Sequence, residues 1–196
     1  MRLSRRVGPL LITLACGVKS GRENYYPEFG VHNLSYPLDF MTSTLNEPLR
    51  TLRTNAPDSL TVRAHEKGDY VEAAARMKVQ ALLPFEGPIS LSMIIEAYQQ
   101  YAIRMPALCS ASTFQDPALI AAWAGRAELA REMIEWGLKG ISKWSKDSQE
   151  RLGGLHGWYK DMEARIADPQ KLRQIVEEQV IFHKLTHIPE EELIID

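Results

Sequence analysis

The chain has little of what a catalyst or a nucleic-acid binder requires. Its 196 residues include two cysteines and five histidines. Cys16 and Cys109 lie far apart and form no CxxC pair, so neither a disulfide framework nor a zinc ribbon is written here. They read as buried thiols of a reducing compartment, with a single bridge between them left open. No GxxxxGK[ST] or GxGxxG stretch occurs, which leaves no glycine-rich cradle for phosphate. No GxSxG elbow occurs either, and Cys109 carries no local signature of a cysteine nucleophile. The formal net charge is −2. Nothing therefore draws the whole molecule to phosphate or anionic lipid, and no nucleic-acid partner is expected. No apolar run is long enough to span a bilayer. With no motif to hold a cofactor, none is expected.

What remains is ordinary globular composition, 45% hydrophobic and 24% charged, which argues against disorder and for a proper core. At this length one domain over 1–196 is the better reading, sheet-rich over 1–87 and helical over 88–190.

The N-terminus carries two readings. Arg2, Arg5 and Arg6 precede an apolar run from Val7 to Ala15, followed by Cys16. A basic start, a short apolar stretch and a small residue before a cleavage point resemble a secretory signal over 1–16, with Cys16 as a lipid anchor. The fit is loose, because Thr13 stands where a lipoprotein box has an aliphatic residue. The plainer reading, a first structural element whose apolar face joins the core, leaves the protein in the cytoplasm.

Alternation governs the first half. Leu34, Tyr36, Leu38 and Phe40 alternate with Ser35, Pro37 and Asp39, the pattern of a strand, and Pro37 places it at an edge. Leu60, Val62 and Ala64 alternate again. After a turn at Gly68, Val71, Ala73, Ala75, Met77, Val79, Ala81 and Leu83 hold every odd position. Alanine favours a helix, but a strand gathers Arg76, Lys78 and Gln80 on one face. A β-hairpin over about 60–83 is therefore expected, with Val71, Met77 and Val79 on its buried face.

The second half has helical period. Ser90 can cap a helix to about Arg104, with Leu91, Ile94, Ile95 and Tyr98 on one stripe. Residues 105–115 read as a connector. Asp116-Pro117 and Asp168-Pro169 both read as helix starts, aspartate at the N-cap and proline at N1. Gly125 separates two antiparallel helices. Gly153, Gly154 and Gly157 mark a break within 147–166. The last helix, from Pro169 to about Thr186, carries Leu172, Ile175, Val176, Val180 and Ile181 inward. The expected fold is α+β, an N-terminal antiparallel sheet with four to five C-terminal helices on one side.

His183 and His187, four residues apart, would share a helix face. Zinc requires at least three protein ligands in most sites. Lys184 follows the first histidine where a zincin has glutamate. Glu190, Glu191 or Glu192 could add a ligand only after Ile188-Pro189 turns the chain back. The pair reads as a polar helix end opposing the macrodipole, and no metal site is expected.

Function is thus expected to lie in a surface. Trp144, Trp158 and Tyr159 fall among charges and glycines, and Tyr25 and Tyr26 sit beside a proline; aromatics in such settings make protein contacts. The leading expectation is a non-catalytic protein-binding protein, of the type that neutralises a toxin. The alternatives are a hydrolase assembled from scattered residues such as Cys109 and His156, and an envelope lipoprotein anchored at Cys16.

Overall fold

A computed structural model describes residues 2–18, 24–51, 57–58, 60–61 and 70–196. The fold is α+β, with a sheet built mainly from the N-terminal third and helices from the remainder. Strands β1 (Arg2–Val7) and β2 (Leu10–Val18) form a hairpin, β3 (Asn24–Asn33) pairs antiparallel with β2, and β4 (Leu45–Pro48) pairs antiparallel with β3. The short β5 (Leu60–Thr61) follows β4 along the same edge of β3. The signal-like run is thus the sheet's first hairpin. Val7, Leu10, Ile12 and Leu14 are buried on its core face beside Phe29, Val31 and Leu45. Cys16 pairs with Pro27 in the ladder.

The helices are α1 (Tyr70–Gln80), α2 (Leu91–Arg104), α3 (Ala111–Trp123), α4 (Ala127–Ile141), α5 (Lys146–Glu150), α6 (Gly154–Ile166) and α7 (Pro169–Phe182). Ser90 caps α2, its hydroxyl accepting from Met93 N–H, and the expected stripe of Leu91, Ile94, Ile95 and Tyr98 is buried. Gly125 separates α3 from α4 at φ +78°. The helical break falls at Gly153 and Gly154, both at positive φ, where a side chain would be strained. Asp168 caps α7 with Pro169 at its first position. Most helices gather on the core face; α7 adds a second small cluster over Leu11, on the opposite face, through Val176 and Val180. Among the described residues no helix is long and apolar enough to cross a membrane.

Three local expectations are overturned. Residues 70–80 are a helix, not the second strand of a hairpin; 62–69, with the expected turn, lie outside the described residues. Ala73 and Met77, at i and i+4, are buried, whereas Val71 and Val79 are 61% and 86% exposed. One helical contact pair thus sufficed, and the three alanines set the conformation. Residues 34–40 form turns rather than an edge strand. The Asn33 side chain takes both Ser35 N–H and Ser35 hydroxyl, at 3.0 and 2.7 Å, and so turns the chain out of the sheet. Leu34 is buried but Phe40 is 68% exposed.

The third concerns Asp116-Pro117. Helix α3 begins at Ala111, where Ser110 N–H donates to Thr113 Oγ1 at 3.2 Å, and Pro117 lies inside it. Asp116 caps nothing. It is 3% exposed and accepts from Tyr98 Oη of α2 at 2.9 Å and from Asn33 Nδ2 of β3 at 3.1 Å. Thr44, just before β4, stands 2.9 Å from the same phenol oxygen. One carboxylate thereby ties β3 and the approach to β4 to two helices.

The acidic C-terminal run is used the same way. Glu190–Glu191 form β7, parallel to β1, and Leu193–Ile194 form β8, parallel to β6 (Ile89–Ser90). Glu191 meets the buried guanidinium of Arg5 with both oxygens, at 2.8 and 2.6 Å, and Arg5 also donates to Pro84 O at 3.1 Å and to Gly87 O. Glu190 pairs with Arg6 at 2.8 Å. Asp196 accepts from Ser92 N–H and hydroxyl at the start of α2, bonds that lower its pKa to about 2.

Burial raises the Asp116 pKa to about 6, despite the opposing hydrogen bonds from Thr44, Asn33 and Tyr98. A carboxyl whose folded pKa exceeds its unfolded one contributes most stability when protonated. That contribution declines as pH rises from about 4 to about 6. At about 1.4 kcal/mol per unit the loss is on the order of 3 kcal/mol. Urea unfolding of wild type and Asp116→Asn across pH 4–7 should show wild type falling relative to the variant in that window and running parallel above it.

Candidate binding surfaces

The aromatic residues singled out in the sequence do not form one patch. Trp158 is 2% exposed, and its ring packs where Gly137 leaves room, since a β-carbon there would stand 2.8 Å from Trp158 Cη2. A side chain so enclosed offers no surface, and Trp158 belongs to the core. Trp144 is half-buried, edge-on to Phe114 at 5.7 Å. Tyr159 is half-buried on α6, and its hydroxyl donates to Glu163 at 3.1 Å. Tyr25 and Tyr26 lie in β3, an inner strand and neither a loop nor an edge; Tyr25 is buried on the core face and Tyr26 half-buried on the other. Trp144 and Tyr159 thus retain surface, while Trp158 and Tyr25 do not.

The two histidines share no helix face, because α7 stops at Phe182. Lys184 takes the left-handed conformation at φ +57°; its N–H returns to Ile181 O and that of Leu185 to Val180 O, closing the helix as a Schellman motif. His183 Nε2 lies 3.1 Å from both Leu38 O and Gln179 Oε1, and His187 Nδ1 lies 2.9 Å from Lys184 O. Each ring thus serves a bond within the fold, His183 to the 34–41 loop and to its own helix, His187 to the turn before it. Among the described residues no group of three or more His, Cys, Asp or Glu side chains is placed to hold a metal ion. Cys109 donates to Met105 O at 3.5 Å, and burial pushes its thiol pKa up, away from thiolate. His156 is exposed on α6.

Two other surfaces emerge. The first lies along α7. Gln179 Oε1 accepts from Leu38 N–H at 3.2 Å while His183 meets Leu38 O, so the 34–41 loop is held against the end of the helix. Phe40 of this loop is 68% exposed, and Ile181 and Phe182 at the end of the helix are 69% and 57% exposed. Ile181, expected on the inner side, points out, because Leu172, Val176 and Val180 already supply the buried stripe. Beside it runs a groove of about 400 Å³ walled by Trp123, Val176, Val180 and Ile181, with Arg6, Arg173, Glu177 and Glu190 completing its lining. The sequence signal was present in Ile181-Phe182, two large apolar residues adjoining a stripe that was already complete.

The second lies across the molecule's sheet edge, where β4 meets α1 and the end of α2. A groove of about 510 Å³ is lined by Glu47, Pro48, Arg50, Val79, Gln80, Arg104 and Met105. Glu47 sits on the core face of β4, opposite Phe29, and is only 7% exposed. Burial raises its carboxyl pKa against the opposing pull of Arg104 and Arg50. Nothing in the alternation of Leu45, Asn46 and Glu47 marked the position beyond an acid where a hydrophobe would fit.

No protein-family model, no curated protein and no solved structure matches the chain.

His183→Ala removes bonds at a half-buried junction and is expected to cost about 1–2 kcal/mol. His187→Ala, at an exposed turn, should stay within about 0.5 kcal/mol. Urea unfolding checks both. Elemental analysis of the purified protein should find no stoichiometric zinc; one zinc per chain, lost in the double variant, would overturn the helix-end reading.

Proposed function

We propose that this chain is a non-catalytic binding protein whose partner is another protein, of the type that neutralises a toxin by occupying its surface. The observation that carries this is the α7 face. Ile181, 69% exposed, lines a groove that combines Trp123, Val176 and Val180 with Arg6, Arg173, Glu177 and Glu190, and Phe182 next to it in the helix and Phe40 in the loop bonded to the helix end are also more than half exposed. Clustered exposed apolar groups rimmed by charge mark association sites, whereas single ones do not. An aromatic anchor flanked by charged pairs is the usual composition of a contact centre. Trp144 and Tyr159 offer a second, smaller area.

The alternatives draw less support. The raised thiol pKa of Cys109 is the reverse of what a nucleophile needs. Anchoring through Cys16 would require releasing the chain before it, which includes β1 and most of β2.

A neutralising protein is expected to be encoded beside its target. The product of the adjacent reading frame should therefore bind this chain at micromolar affinity or better in calorimetry. Ile181→Asp and Phe182→Asp should each weaken that binding at least tenfold, about 1.4 kcal/mol, without lowering the Tm appreciably. Absence of binding would sink the neutralising role. Binding that both variants leave intact would move the contact elsewhere, with Trp144 and Tyr159 next to be tested.

A further inference from the structure

The groove along α7 has the symmetry of a surface that fits itself. Arg173, Glu177 and Ile181 recur at intervals of four on α7, so they form one stripe, and all three line the groove. Cations lead and anions follow along the helix. Lys171 and Arg173 are exposed in its first half, Glu177 and Glu178 in its second. Arg173 precedes Glu177, which is the weaker order for a bridge within one helix. Among the described residues the two make no ion pair, and Arg173 Nε donates to Trp123 O at 3.2 Å. The apolar parts are divided in the same way. Ile181 stands out at the late end of the stripe, 69% exposed. Half-buried Trp123, bonded to Arg173 through its carbonyl, walls the groove at the early end.

This division decides which occupant fits. Arg6 and Arg173 balance Glu177 and Glu190 around the groove, so neither a polyanion nor an anionic lipid surface is favoured. A two-fold axis presents one patch to itself in reverse. Placed across α7 near Ile175, such an axis sets Arg173 of each copy against Glu177 of the other. The same reversal carries each Ile181 toward the Trp123 end of the opposite groove. One apolar knob and one apolar wall, exchanged twice, need no second kind of surface. We propose that this face binds a second copy of the chain, α7 antiparallel to α7, with Arg173–Glu177 pairs flanking the axis and Ile181 set against Trp123 of the other copy. Such a dimer covers the side chains offered above to a target protein, so a target has to displace one copy.

Sedimentation equilibrium of the full chain should give a dimer with a Kd of about 10 µM or tighter. Arg173→Glu and Glu177→Arg lie at exposed positions, and circular dichroism should show both variants folded. Each sets like charges across the axis and should weaken the dimer at least tenfold. An equimolar mixture of the two variants should recover it, since each variant then meets opposite charge on the other. A chain that stays monomeric well above that concentration, a dimer that survives both reversals, or a mixture no tighter than either variant alone would overturn the proposal. A monomer that floats with neutral lipid vesicles would overturn it too, and give Ile181 to a membrane surface. No target protein enters these measurements, so their failure leaves the protein-binding reading standing, and failure to find a target leaves the dimer standing.

Discussion

A single carboxylate sets the relation between sheet and helices. Asp116 is enclosed by the core and accepts from Tyr98 and Asn33, with Thr44 against the same phenol. These residues come from α3, α2, the end of β3 and the approach to β4. Apolar packing alone tolerates sliding of one layer over another, because it is non-directional. A buried carboxylate admits few geometries, since each misplaced donor leaves a desolvated acceptor. The cost is a carboxyl pushed well above its ordinary range. Asn33 spends its other end on Ser35, so the same node also ends β3 and starts the 34–41 loop.

A second set of directional bonds holds the C-terminus. Arg5, in the first strand, gathers Glu191, Pro84 and Gly87, and thereby joins the chain's two ends to the linker between α1 and α2. A buried guanidinium satisfied by a bidentate carboxylate and two carbonyls is specific where a hydrophobe would not be. The run of acids after Pro189 is therefore absorbed by structure. Glu190 and Glu191 pair with arginines, Leu193 is buried and Asp196 meets the start of α2. Arg6 and Glu190 of this second set also line the groove along α7, beside the exposed Ile181.

Much was legible in the chain itself. Composition and the change from alternation to helical period indicated α+β. Ser90, Gly125, Gly153 and Asp168-Pro169 located helix ends correctly, because capping and positive φ depend on the residues immediately adjacent. The failures share a cause. Val71 to Leu83 satisfied period two, yet only Ala73 and Met77 needed burial among residues 71–80, and that pair is as helical as it is extended. Asp116-Pro117 had a start signal, but Ser110 and Thr113 opened the helix earlier and Asp116 found a tertiary use. Trp158 sat among polar neighbours in sequence and among apolar ones in space.

The sequence by itself determined which segments prefer helix or strand and where several of them stop, since those preferences act within a few residues. Tertiary structure decided which aromatic faces water, which acid is buried and which apolar residues remain outside. Phe40 and Ile181 look like core residues in the chain, and Glu47 looks like surface. Each is reversed by what occupies the neighbouring space, and occupancy is a property of the whole packed molecule.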